Sequence, residues 1–463
     1  MTDQLPPTDP PVPPATSSSG NPGSTGSAQD DQGGAVATAD GEAPGPPGQR
    51  KPRLRLTGSM IIEAIIYGSP AVITILAIFL ALVVSALLIV FSDPGVLHAW
   101  AAFFNAPGQA LSMTWNSIAT AYSALFEGSI FNPTTISDAF HGGSIAAIFY
   151  PLSLTAFQAT PLILTGLSVA IAFRAGLFNI GAAGQFVAGS MIAAWLGFAV
   201  HLPGPIHILV CVVGGFAGGA ALGWFVGVLK ARTGAHEVIV TIMLNYVMYN
   251  LLSYLLKTPK ALQQPHQSNQ VSPPIDNNAI FPHVGGPPPQ ANIGFLIALA
   301  AAAGVAWLLS RSTIGFQFRT VGANPRAARS AGMSVERSWA LVMLIAGGLA
   351  GLAASAVIQG GAPPPPLTFN TYGTYGFDGI TVALLGRARP WGVVLAGLLF
   401  GALEAGGTAM QAATNPQVPV DIVEVIQGLI VLFVAAPPLI RAIFRLRAAR
   451  EAGMEAVAKG WNG

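Results

Sequence analysis

The decisive stretch is Ser69–Phe91, SPAVITILAIFLALVVSALLIVF: 23 residues without a charge. At 1.5 Å per residue it is long enough, as a helix, to cross a hydrocarbon layer of about 30 Å. Comparable runs follow at Leu152–Phe173, Gln185–Val200, Ile206–Leu229, Val238–Leu256, Asn292–Ser310, Ser338–Gln359, Phe377–Gly386, Trp391–Met410 and Ile422–Ile440. The Gln185 and Phe377 segments are short for a full crossing and read as candidate half-helices. The expectation is an all-α polytopic membrane protein with 8–10 transmembrane helices, short or broken near 178–186 and 376–386.

Composition agrees. Of 463 residues, 9% are charged and 52% hydrophobic; a soluble domain carries about 25% charge. Such a chain cannot hydrate a soluble surface, which argues against a soluble enzyme or a nucleic-acid binder. One cysteine, Cys211, excludes an internal disulfide, and the seven scattered histidines offer no metal-ligand spacing.

Residues 1–49 differ from the rest. They hold ten prolines, eight glycines and six acids, with no aromatic, Lys or Arg. Too little apolar area is available there to offset ordering entropy, so a disordered acidic tail is expected. The membrane domain is expected over 50–445, with a short C-terminal tail at 446–463.

The sparse basic residues are informative by position. With ten crossings, 19 of the 21 Lys and Arg fall on one side, and only Lys257 and Lys260 on the other. By the positive-inside rule that side is cytoplasmic and holds both termini. The 92–144 segment is then an outside loop, with Asp93, Glu127 and Asp138 and no Lys or Arg. Its aromatics Trp100, Phe103, Phe104 and Trp115 leave two placements open: the membrane surface, or a dock for a binding protein.

Glycine recurs every fourth position at Gly215, Gly219, Gly223 and Gly227, and again at Gly347/Gly351 and Gly397/Gly401. Small residues at this spacing let helix backbones approach in lipid. Packing within the bundle is the expected use, with a subunit interface as the alternative.

No lysine follows a glycine, so no Walker A loop exists, and no hydrolase motif stands out. No catalytic residue, metal ligand or cofactor is assigned. Polar residues interrupt the apolar runs at Asn179 and Gln185, at Asn245 and Asn250, and at Phe377–Asp378, with Glu404 in mid-span. Amides and acids within spans face protein or a water-filled path. Asn179, Gln185, Asn245, Asn250, Phe377, Asp378 and Glu404 are therefore candidate pathway residues. An isolated amide is more often helix–helix glue than a ligand. The loop 311–337 collects five arginines around GANPRAARSAG (322–332). Pro325 can open a short helix through Ala327 and Ala328 that ends near Gly332, a form suited to docking a soluble partner.

Four segments carry a resemblance. Phe178–Gln185, FNIGAAGQ, resembles the FNIGAEGQ signature of permease subunits in bacterial ABC importers of nucleosides and simple sugars, within the ribose and branched-chain amino acid permease superfamily. Glu237–Asn245 resembles EVISTIMLN, with Val240 in place of Ser. Gly322–Gly332 resembles the G-x-N-P-x-A-A-x-x-A-G loop, and Phe377–Gly386 resembles FDGIAVALLG. Ala183 stands where the family usually has Glu.

The resemblance, over roughly 60–445, implies a multi-pass subunit of the bacterial cytoplasmic membrane. It implies separate cytoplasmic ABC ATPases that use the ATP, a second related permease forming a heterodimer, and an extracytoplasmic solute-binding lipoprotein. It also makes Thr320, Gly322, Asn324, Pro325, Ala327, Ala328 and Gly332 the ATPase-coupling loop. The alternative function is an ion-coupled secondary transporter using Asp378 and Glu404.

Overall fold

The computed structural model describes residues 70–259, 261–267, 269–283, 291–361, 365–371, 373–414, 419 and 421–445. The tails expected at 1–49 and 446–463 lie outside the described residues.

The described chain is helical. Helices α1 (Pro70–Ser92), α2 (Pro94–Ala101), α3 (Pro107–Ser129), α4 (Pro133–Phe140) and α5 (Ile145–Ile148) come first. Then come α6 (Tyr150–Arg174), α7 (Ala182–Ala199), α8 (Gly204–Thr233), α9 (Glu237–Lys257) and α10 (Ile293–Arg311). The short pair α11 (Thr313–Ala323) and α12 (Pro325–Ser330) leads into α13 (Val335–Gly360). The chain continues through α14 (Tyr375–Leu385), α15 (Pro390–Ala413), α16 (Asp421–Ala435) and α17 (Pro437–Ile443). Among the described residues eight helices are long and apolar enough to cross a membrane, nine if the bent α16–α17 pair is one span. The protein is a polytopic all-α membrane protein.

Two of the expected segments differ from what the sequence suggested. Ile422–Ile440 is not one straight span: α16 and α17 meet at 91°. Pro437 and Pro438 supply no amide to the preceding turn, and their rings crowd its carbonyls, so the helix ends at Ala435 and restarts. The 92–144 stretch is not simply a loop. It contains α3, a 23-residue helix. Gln109, Thr114, Asn116, Ser117, Thr120, Ser123 and Glu127 lower its hydropathy enough to hide it. Its small face nevertheless packs along α15, where Gly128 meets Ala409 and Gly406 meets the Leu125 carbonyl. Tyr122 Oη also donates to the Leu82 carbonyl of α1 at 2.6 Å.

Of the two segments read as half-helices, the 376–386 one is a short helix, α14, of 11 residues. The other breaks only at 175–181, after which α7 runs a full 18 residues.

The centre of the bundle is α6, α7, α8, α13, α14 and α15. The α8–α13 contact is the most extensive in the molecule. A Cβ at Gly215 would lie 2.0 Å from Ser355 Oγ, one at Gly219 2.1 Å from the Gly347 carbonyl, and one at Gly223 2.1 Å from the Met343 carbonyl. The partner numbers fall as the α8 numbers rise, so the helices run antiparallel. Gly401 and Gly397 meet Ala159 and Ile163 of α6 in the same antiparallel sense. Both glycine series thus serve packing within the chain. Lipid tails are as apolar as leucine, so close van der Waals contact, not hydrophobic burial, drives this association.

Gly219→Ala forces the α8 and α13 backbones apart and is expected to cost about 1–3 kcal/mol. Gly304→Ala, where an added Cβ meets nothing within 4 Å inside α10, should be neutral or stabilise by up to about 1 kcal/mol. Thermal unfolding of the detergent-solubilised protein checks this, and equal effects would contradict the packing assignment.

Candidate functional site

The break between α6 and α7 is built by amides. At Leu177–Gly181 the backbone leaves helical geometry and needs other partners. Asn245 of α9 supplies two: its Oδ1 accepts from Gly184 N at 2.8 Å, and its Nδ2 donates to the Ile180 carbonyl at 3.0 Å. Asn179 and Gln185 form a reciprocal pair, with Asn179 Nδ2 donating to Gln185 Oε1 at 2.8 Å and Gln185 Nε2 to Asn179 Oδ1 at 3.0 Å. Asn179 Nδ2 also reaches Ser168 Oγ on α6 at 3.1 Å. All three amides are buried. They lock three helices around a turn, so a solute could use their bonds only by displacing them.

Asn250 lies apart from this cluster. It is exposed and donates to the Tyr246 carbonyl of its own helix at 2.7 Å.

The remaining pathway candidates gather around α14. Thr374 Oγ1 donates to Asp378, and Phe377 is exposed beside it. Tyr375 packs against Phe186 of α7 with ring centroids 5.7 Å apart. Glu404 of α15 accepts from Gln427 Nε2 of α16 at 3.3 Å. Glu404 and Glu424 both lie within electrostatic reach of Asp378, so three carboxyl groups share this region. Sequence reasoning missed Ser168, Thr374 and Gln427. For Gln427 the signal was present: a polar residue three positions beyond Glu424 in an apolar helix.

One end of the bundle is basic. Arg174 closes α6 and donates from Nε to the Ala388 carbonyl at 2.9 Å, joining the α14–α15 turn that carries Arg387 and Arg389. Lys230 closes α8, pairs with Glu237 at 2.6 Å and lies 5.0 Å from the Trp339 ring centroid. The 311–337 segment belongs to the same end. A Cβ at Gly322 would lie 2.3 Å from the Arg174 carbonyl, so α11 rests directly on the α6–α7 turn.

The helix expected from Pro325 is α12. Asn324 caps it, accepting from Arg326 N at 3.0 Å and Ala327 N at 3.1 Å. Gly332 ends the segment at φ +79°, a conformation that favours glycine. Ala328 is buried against Val321, Val335, Met333 and Trp339, while Asn324, Pro325 and Ala327 are exposed. Thr320 Oγ1 bonds the Phe316 carbonyl within α11. The loop therefore has a fixed inner face and a free outer face. Its base touches the turn that holds Asn179, and Arg174 ties that turn to α14.

The motif segments converge on the start of α7: Asn245 bonds Gly184, Gly376 beside the fourth motif is seated on Ala183, and Gly322 rests on the preceding Arg174–Gly176 turn. A family model described as the permease component of the branched-chain amino acid transport system matches residues 151–435. The chain belongs to this permease family. It is 36% identical over 334 residues to the guanosine ABC transporter permease protein NupP of Bacillus subtilis, covering 71% of this chain and 88% of the relative. It is 34% identical over 301 residues to the nucleoside ABC transporter permease protein NupB of Lactococcus lactis, covering 61% and 78%. It is 36% identical over 290 residues to the glucose ABC transporter permease protein TsgB13 of Haloferax volcanii, covering 60% and 73%. No solved structure matches the chain significantly.

Asn245→Ala removes one acceptor and one donor from a buried turn and is expected to cost about 1–3 kcal/mol. Asn250→Ala should stay within about 0.5 kcal/mol. Melting midpoints of the two purified variants distinguish a bracing role from a surface one.

Proposed function

We propose that this permease is the membrane subunit of an ATP-driven importer of nucleosides or simple sugars, energised by separate ATPases. The observation that carries the reading is the seating of the α11–α12 loop. Gly322 rests on the Arg174–Gly176 turn, and the Arg174 side chain is tied to the Ala388 carbonyl, so force on the loop reaches both interrupted segments through one backbone contact and one side-chain hydrogen bond. Thr320, Gly322, Asn324, Pro325, Ala327, Ala328 and Gly332 form the coupling loop. An ATPase docks on its exposed outer face, and the closing motion tilts α14 and α7 together. The chain itself needs no cofactor and has no ATPase site. Asn179, Gln185 and Asn245 act as braces of the pathway wall, whereas Phe377, Asp378 and Glu404 line the path; Asn250 lies at its margin.

The partners are two cytoplasmic ATPases, a second related permease and an extracytoplasmic binding lipoprotein. Two guanosine ABC transporter permease proteins of Bacillus subtilis, NupP and NupQ, are similar to this chain, at 36% and 24% identity, which supports a heterodimer. The basic end faces the cytoplasm of a bacterial inner membrane by the positive-inside rule.

Reconstitution of the complete transporter in proteoliposomes tests the reading. Uptake of guanosine or ribose should require ATP and survive collapse of ion gradients. Ala328→Asp, which puts a charge against Val321 and Val335, should cut ATP-driven uptake at least about 10-fold while the subunit still inserts. Uptake without ATP that collapses with an ion gradient would instead favour an ion-coupled transporter using Asp378 and Glu404.

A further inference from the structure

A cavity of about 500 Å³ lies between α3, α4, α6 and α15. It opens at the Tyr150 end of α6, the end opposite Arg174 and the basic loops. One wall is small and apolar: Ala405, Ala409 and Ala412 of α15, with Gly128 and Ala124 of α3. The polar groups are Glu127, Asn132, Thr135, Tyr150 and Thr408. No Lys, Arg or His contributes to the lining.

Several of these groups have unused bonding capacity among the described residues. Glu127 has no hydrogen-bond or ion-pair partner there. Asn132 uses its Oδ1 to cap α4, accepting from Thr134 N at 2.9 Å, which leaves its amide hydrogens free to donate. Thr408 donates to the Ala405 carbonyl at 2.8 Å, which leaves its oxygen free to accept. Thr408 is also one turn beyond Glu404 on α15, so the cavity floor continues along the helix face that carries the mid-span acid.

We propose that this cavity is a receiving subsite for an uncharged polyhydroxylated solute. Glu127 accepts from two neighbouring hydroxyls of a furanose or pyranose, since one carboxylate offers two acceptor oxygens. Asn132 and Tyr150 donate to ring or hydroxyl oxygens. The Tyr150 ring and the alanine wall cover the apolar face of the sugar or an attached base. A lone carboxylate with no cation beside it repels phosphate, so the subsite accepts nucleosides and free sugars and rejects their phosphates. The assignment rests on the importer reading and narrows it to a solute class and an entry point.

The test uses the complete transporter in detergent, with Ala412→Cys as reporter. Cys211 is fully buried, so a hydrophilic methanethiosulfonate reagent reports the new thiol. Guanosine and ribose at saturating concentration should slow labelling at least 5-fold, and guanosine 5′-monophosphate and ribose 5-phosphate should not. Adding Glu127→Gln should weaken the protecting affinity about 10- to 100-fold, the loss typical of a charged hydrogen-bond partner. Unprotected labelling without solute should keep its rate, which shows that the cavity still forms. Equal protection by the phosphates, or protection untouched by Glu127→Gln, overturns the proposal. ATP-driven uptake without protection overturns the subsite alone; protection without ATP-driven uptake supports the subsite and removes the importer reading.

Discussion

The structure depends on how closely α8 and α13 approach. Their glycines place a carbonyl of one helix where a side chain of the other would have to be. In water such a contact would be one of many, because burial of any apolar surface contributes. In lipid it is decisive, since helices gain from association only by fitting better to one another than to acyl chains. The pair fixes α7 as well: Gly189 fits against Gly351, and Gly218 against the Ala188 carbonyl. The amide-braced turn that starts α7 is thereby held in place from behind. A polar break in a membrane helix can exist only where protein satisfies its backbone. The glycine seam brings that protein close enough.

Two kinds of polar residue therefore sit in the membrane region and do different things. Asn179, Gln185 and Asn245 are saturated by one another and by backbone, and their geometry is rigid. Among the described residues Asp378 and Glu404 each have a single side-chain hydrogen-bond partner, Thr374 and Gln427, and Glu424 lies three residues before Gln427 on α16. A translocation path needs groups that can change partners, because a solute must enter and leave. Under the proposed reading the carboxylates supply that freedom, because the amides are already saturated.

The spans and glycine seams were legible because they rest on composition and on fixed helical spacing, which tertiary context rarely overrides. Ser69–Phe91 and the Gly215–Gly227 series needed no partner to be understood. Helix α3 was not legible, because its exposed and buried faces average to a modest hydropathy and its Gly128 has meaning only against Ala409. The 91° bend was signalled by Pro437–Pro438, yet the apolar residues on both sides masked it. At the site, the types of residue were visible, but the pairing was not. Asn179 and Asn245 look alike in the sequence as lone amides near a span end. Only the fold shows that one bonds Gln185 and the other caps α7.

Ala183 shows how far such differences reach. It stands in the first turn of α7, where a glutamate would suit the positive end of the helix dipole. In this chain the position is only 5% exposed, and a Cβ on Gly376 would lie 2.3 Å from the Ala183 Cα. The start of α14 is thus seated on the start of α7 with no room for a side chain on Gly376. A carboxylate at 183 would enter an enclosed contact already filled by backbone. The acid that this region does carry is Asp378, two residues beyond Gly376 and held by Thr374. The acid near the α7–α14 junction is therefore carried by the short helix and not by the braced one. In this permease the carboxylate thus belongs to α14, and the α7 position seated against that helix is a buried alanine.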